Sequence, residues 1–118
     1  MREKRNPSSE LKELEDILDK IRQMIPGLHQ QYHLRNLGVF GSFVRGEGKK
    51  DSDLDLLAEF DQPISLFLLV EVEEILSRSM GRKVDLVLRS TLKKHIGERI
   101  LNEVVMAEQG QDVSGLLA

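Results

Sequence analysis

Three short apolar runs, Asn36 to Phe40, Leu54 to Phe60 and Lys83 to Leu88, are separated by longer stretches with helical spacing. That alternation constrains the fold most, because apolar runs of this length bounded by turn residues read as strands, and strands interleaved with helices bury their faces in a layered α/β (α+β) domain. Residues Ser9 to Ile25 carry Leu11, Leu14, Leu18, Ile21 and Ile25 at steps of three and four, the pattern of a helix with one apolar stripe. Pro26 and Gly27 are expected to stop it, and Leu28 to His33 to add a short helical turn begun by Pro26. Pro63 and Ser65 introduce a second helix, Ser65 to Met80, closed by Gly81. Ser90 or Thr91 is expected to cap a last helix with Leu92, Ile96, Ile100 and Val104 at steps of four. The order is αβαβαβα in 118 residues, room for one domain. Within it, residues 1–33 are expected to form an N-terminal helical segment packed on the core, 34–109 the core, and 110–118 a mobile tail.

Composition narrows the function classes. A net charge of −3, from 17 Lys plus Arg against 20 Asp plus Glu, offers no broad surface for nucleic acid. The absence of cysteine removes disulfides, thiolate metal sites and thiol nucleophiles, so any metal must sit on oxygen or histidine. The longest apolar run, Leu66 to Val70, is far too short to cross a bilayer, and no secretory signal follows the charged start, so a cytoplasmic protein is expected.

The chemistry concentrates between Gly41 and Asp55. In a strand, side chains alternate between faces, so Asp53, Asp55, Leu57 and Glu59 should share one face, while Leu54, Leu56, Ala58 and Phe60 should face the core. Carboxylates two apart in a strand lie roughly 6 to 7 Å apart at their Cα atoms, close enough to converge on one divalent cation. On the last strand Asp85 alternates against Val84, Leu86 and Leu88, and pairing that strand with Leu54 to Phe60 would bring Asp85 beside the other two acids. Three such carboxylates can hold two magnesium ions and serve an in-line displacement at phosphorus. Just upstream, Gly41 and Ser42 end the first strand and begin a helix, where a backbone without a side chain, free amides and a hydroxyl suit a phosphate. A P-loop is excluded, because Glu47 stands where that motif requires lysine.

Gly41-Ser42, ten residues, Asp53-Leu54-Asp55 and a later single acid in the run KVDLV together resemble the minimal nucleotidyltransferases of the DNA polymerase beta-like superfamily. The resemblance runs from about Leu34 to the last helix, and Arg45 and Gly46 fit the family's stretch after Gly-Ser. It implies a small mixed sheet with strands in sequential order, and transfer of a nucleoside monophosphate, AMP from ATP, with loss of pyrophosphate. Gly41 and Ser42 then resemble the triphosphate-binding pair. Asp53 and Asp55 resemble ligands of both magnesium ions, and Asp85 the third ligand, placed to orient or deprotonate the acceptor hydroxyl. The resemblance further implies a helical HEPN-domain partner, often a toxin, whose tyrosine the protein adenylylates as an antitoxin; homo-oligomers are compatible with it. Two other functions compete: a binding module that neutralises a partner by occlusion, and a small-molecule nucleotidyltransferase completed by a helical substrate-binding subunit.

Several further residues have ordinary explanations. His29 and His33, four apart, could share a metal on a helix but lack a third ligand. His95 is expected to be a polar position of the last helix, and Tyr32 an amphipathic surface residue. Lys49 and Lys50 fit a solvated loop or a phosphate contact, and Arg45 could neutralise triphosphate or brace the acids. The apolar arc of the second helix, Leu66, Leu69, Val72 and Leu76 broadened by Phe67 and Val70, suits either a crossover helix buried on the sheet or a partner surface.

Overall fold

A computed structural model describes residues 7–47 and 52–108. The elements are α1 (Pro7–Tyr32), β1 (Leu34–Phe40), a single 3-10 turn (Gly41–Phe43), β2 (Leu54–Phe60), α2 (Leu66–Met80), β3 (Val84–Leu88), a second 3-10 turn (Arg89–Thr91), α3 (Lys94–Glu103) and β4 (Val105–Met106). The expected loop lysines, Lys49 and Lys50, and the expected tail, 110–118, lie outside the described residues.

The strands form one mixed sheet in the order β3-β2-β1-β4. β1 runs antiparallel to β2 and to β4, while β2 and β3 are parallel and joined through α2. Sequential order therefore holds for the first three strands, and β4, absent from the expected αβαβαβα series, adds the outer edge beside β1. A two-residue strand carries too little pattern to read from sequence. It is held here by tertiary contacts: the Ala107 amide donates to the Leu37 carbonyl at 2.8 Å. The Arg22 side chain donates to the Ala107 carbonyl at 2.6 Å. Asn36, a buried polar residue at the bulge in β1, accepts from the Leu37 and Glu108 amides.

One face of the sheet carries the main core, where Leu37, Val39, Leu54, Leu56, Ala58, Val84 and Leu86 pack with α1 and with Val72 and Leu76 of α2. The outer edge of β3 is sealed by α2, since the Leu86 amide donates to Glu73 Oε2 at 2.8 Å and the Val84 amide to Ser77 Oγ at 3.0 Å. Bonded in this way, these two amides are not free to pair with a further strand.

Pro26 does not stop α1. The stripe continues through Ile21, Ile25, Leu28 and Tyr32, all buried, and burying Leu28 and Tyr32 at about 1.5–3 kcal/mol each outweighs the roughly 3 kcal/mol that an interior proline costs. The helix closes instead at His33, which takes the left-handed conformation at φ 66° and donates its amide to the His29 carbonyl. Pro26 is exposed, so Pro26→Ala restores a backbone hydrogen bond without disturbing packing. Allowing for the greater freedom of alanine in the unfolded chain, it is expected to stabilise by about 1–2 kcal/mol, read as a higher urea midpoint at unchanged slope.

One side chain of α1 differs from expectation because the helix runs on past Pro26. Tyr32 is buried rather than a surface residue, with its hydroxyl donating to Glu71 on α2. His29 pairs with Asp61 at 2.9 Å while His33 lies beyond the helix, so the two do not share a metal.

α2 follows the sequence closely: Ser65 Oγ accepts from the Leu68 amide, and Gly81 ends the helix at φ 67°. Its apolar arc divides. Val72 and Leu76 are fully buried, whereas Leu66 and Phe67 are 74% and 88% exposed, with Leu68 and Val70 partly so. α3 starts later than expected because Arg89–Thr91 form a 3-10 turn, in which Thr91 Oγ1 donates to the Leu88 carbonyl, and Lys93 stands at the N-cap without a side-chain bond. Leu92 precedes the helix and lies against buried Gly97, Ile96 is exposed, and Val104 is already beyond the last turn.

Candidate active site

The second face of the sheet carries the acids. In the register of β2 and β3, Asp55 is the direct neighbour of Asp85, and in that of β1 and β2 it is the neighbour of Phe40. Adjacent strands lie about 4.8 Å apart, so these side chains emerge together beside the turn that follows Phe40. Asp53 sits just before β2, exposed, and Ser42 is half-buried in the turn. Gly41, Ser42, Asp53, Asp55 and Asp85 thus share one end of the sheet, as the spacing suggests.

Gly41 is indispensable to that arrangement. It adopts φ 82°, and a Cβ built on it would stand 2.2 Å from Asp55 Oδ2. The Asp55 carboxylate therefore rests where any other residue would place its side chain. Burial holds the Asp55 carboxyl above the ordinary carboxylate range, reinforced by the charges of Asp85 and Asp53 and by Glu103, with Arg45 opposing. Among the described residues the site gathers four carboxylates, Asp53, Asp55, Asp85 and Glu103, against Arg45, so negative charge predominates.

Glu59, expected to share a strand face with Asp53 and Asp55, lies apart from them along β2. It pairs with Arg89 and approaches Arg35 at 3.8 Å, at the opposite end of β2. There two cavities, of about 700 and 630 Å³, share Arg35 and Glu59 and contain none of the acids of the candidate site. Leu57 also departs from the simple alternation, being fully buried on the acid face. The cause is the C-terminal segment: Gly38, the neighbour of Leu57 on β1, leaves the space that the side chains of Met106 and Val104 fill.

Two residues at the site have no signal in the local sequence. Glu103, at the end of α3, accepts from the Gly41 amide at 2.6 Å and from Arg45 Nη1 at 3.1 and 3.2 Å. Arg45 also donates through Nε to Glu47, and the two carboxylates hold its guanidinium firmly charged. Arg82 lays its guanidinium over the Phe43 ring at 4.7 Å and approaches Glu13 at 3.8 Å, bracing the turn from behind. Glu103 is separated from Gly41 by 62 positions, and only the fold brings them together.

Among the described residues no three acidic or histidine side chains form a ready-made metal cage. Hard oxygen donors around an under-compensated charge nevertheless fit magnesium, which is usually bound by one or two carboxylates and completed by substrate phosphates.

A family model described as a nucleotidyltransferase domain matches residues 18–107. The chain belongs to this nucleotidyltransferase family. It is 44% identical over 95 residues to the protein adenylyltransferase MntA of Thermococcus cleftensis, across 80% of this chain and 93% of that protein. Among solved structures it resembles one provisionally described as a minimal nucleotidyltransferase, at 31% identity and TM-score 0.61, covering 75% of this chain and 93% of that one. Two more distant structures share the fold. One is a toxin-antitoxin with AMP-PNP, at 18% identity, TM-score 0.66 and coverage of 81% and 78%. The other is a tri-AMPylated HEPN toxin of Shewanella oneidensis in complex with its MNT antitoxin, at 16% identity, TM-score 0.55 and coverage of 88% and 78%. The polymerase beta-like fold and the minimal nucleotidyltransferase family read from the Gly-Ser and Asp-x-Asp spacing are both borne out.

Proposed function

We propose that the protein transfers AMP from ATP to a hydroxyl of a protein acceptor, a tyrosine of a HEPN-domain toxin, and acts as the antitoxin of the pair. The observation that carries this reading is the contact of Asp55 with Gly41 beside Asp85, which joins a phosphate-compatible turn to clustered acids in a chain 44% identical to a protein adenylyltransferase. The toxin-antitoxin complex with AMP-PNP and the AMPylated HEPN toxin support the nucleotide and the partner. The exposed Leu66 and Phe67 support an apolar contact with some protein.

In this reading Gly41 and Ser42 orient the triphosphate through backbone amide and hydroxyl. The acceptor oxygen attacks the α-phosphorus, the bond from that phosphorus to the oxygen bridging to the β-phosphate breaks, and pyrophosphate leaves. Asp85, beside Asp55 on the neighbouring strand, orients the hydroxyl and takes its proton. Asp53, Asp55 and Asp85 would hold magnesium, two ions in the full complement, whose chemistry when bound is to offset the charge of phosphates and acids alike.

The test is transfer of label from ATP to a co-purifying helical protein in the presence of magnesium. Label from the α-phosphate is expected on a tyrosine of the partner, and label from the γ-phosphate in pyrophosphate. A stable complex in which the partner is neutralised with no α-label transferred would sink the enzymatic reading in favour of occlusion.

A further inference from the structure

The Gly41 amide is already taken by an anion. Glu103 Oε2 accepts from it at 2.6 Å, and Arg45 Nη1 donates to both oxygens of the same carboxylate at 3.1 and 3.2 Å. An amide in a glycine turn and a guanidinium are the donor types that bind phosphate oxygens. We infer that Glu103 is a positioning residue that occupies the phosphate's place on Gly41 and Arg45 in the nucleotide-free protein, and that the incoming triphosphate must displace it. This inference rests on the reading of the Gly41-Ser42 turn as the seat of the triphosphate.

Exchange of one anion for another explains why a fourth carboxylate is tolerated beside Asp53, Asp55 and Asp85. Without nucleotide, Glu103 satisfies the Gly41 amide and adds a second carboxylate to Arg45 beside Glu47. With nucleotide, the same carboxylate would repel the phosphates, so it has to move, and it can. Glu103 is the last residue of α3, its side chain is about a fifth exposed, and both bonds run through its side chain alone. Arg45, released from Glu103 and still tied to Glu47 through Nε, keeps its Nη1 aimed at the turn. Displacement thus converts an internal ion pair into a phosphate contact with no change in the backbone of β1. Glu103 touches neither acceptor nor reacting phosphorus; it sets the affinity of the turn.

Glu103→Gln keeps the size and an acceptor for the Gly41 amide but loses the charge, and Glu103→Ala removes the competitor. Calorimetric titration of the full chain with inorganic triphosphate and with AMP-PNP, in magnesium, is expected to show binding tightened by about 3- to 10-fold in both variants. That is the gain from releasing a competent state populated at roughly 10–30%. Adenosine, which carries no phosphate, should bind no better. The Gly41 amide resonance reports the same exchange without a variant: it should shift when inorganic triphosphate is added to the wild-type protein. Unchanged or weakened triphosphate binding in folded Glu103→Gln, or a gain equally large for adenosine, overturns the competition. A wild-type protein that binds neither inorganic triphosphate nor AMP-PNP overturns the nucleotide reading of the turn, which is a separate failure.

Discussion

Replacing Asp55 by asparagine is expected to cut AMP transfer by about 10³-fold or more while leaving a folded and somewhat more stable protein. The activity loss follows if this carboxylate anchors the cation that offsets developing charge, because several kcal/mol of transition-state stabilisation corresponds to three decades of rate. The gain in stability follows from the opposite pressure in the nucleotide-free state. Asp55 is partly buried, and that burial, reinforced by Asp85 and Asp53, holds its carboxyl above the ordinary range. In acid, folded and unfolded chains both keep the proton and the penalty vanishes. As pH rises through the ordinary aspartate range the unfolded chain ionises first, so stability falls until the folded Asp55 ionises too, and it stays lowered at neutral pH. Asparagine removes that slope. A thermal scan at pH 7 should place Asp55→Asn about 2–4 °C above wild type, with the gap closing toward acid. Magnesium should raise the melting temperature of the wild type and not of the variant. A variant that melts lower than wild type at every pH would mean that Asp55 is a structural residue and not one held in place for catalysis.

The parts of this protein that are legible in sequence are those set by neighbours along the chain. The limits of β2 and the caps of α2 at Ser65 and Gly81 are local properties, and they emerge as read. The parity of Asp55 and Asp85 needs one further assumption, that β2 and β3 pair, and the register meets it. What escaped reading depends on distant partners. Pro26 is a helix breaker by itself, yet α1 passes through it because the sheet rewards the residues beyond it. Alternation alone puts Leu57 on the open face, and it is buried because the side chains of Met106 and Val104 fill the space over neighbouring Gly38. Thr91 is a good cap by composition and instead ends the 3-10 turn that precedes α3.

The candidate site divides along the same line. Gly41, Ser42, Asp53 and Asp55 lie within 15 consecutive residues and form a spacing that can be recognised. Glu103 and Arg82 have no such spacing. One ends a helix and the other follows one, and each reaches the turn only because the sheet brings the ends of β1, β2 and β3 together. Residues that hold a turn in place are recruited by geometry, so they leave no trace in periodicity or motif.

Gly41→Ala is expected to lower AMP transfer by about 10²-fold or more and to destabilise the protein by about 1–3 kcal/mol, and a second glycine shows which part of that loss is steric. Gly41 and Gly81 both adopt positive φ, 82° and 67°. Alanine at either position incurs the backbone cost of the left-handed region, roughly 1–2 kcal/mol. The surroundings differ completely. A Cβ at Gly81 meets nothing within 4 Å, whereas one at Gly41 would lie 2.2 Å from Asp55 Oδ2 and 3.1 Å from its Cγ. Asp55 has few ways to yield, because its Cβ would itself be 3.2 Å away and its backbone is paired on both sides within the sheet. Its carboxylate must therefore rotate away from the turn, separating the acid from the position the phosphates would take. Gly81→Ala should accordingly lose stability and keep its transfer rate, while Gly41→Ala loses both. Equal activity in the two variants would show that the closeness of Asp55 to the turn has no part in the reaction, since backbone strain is common to both and only the contact is not.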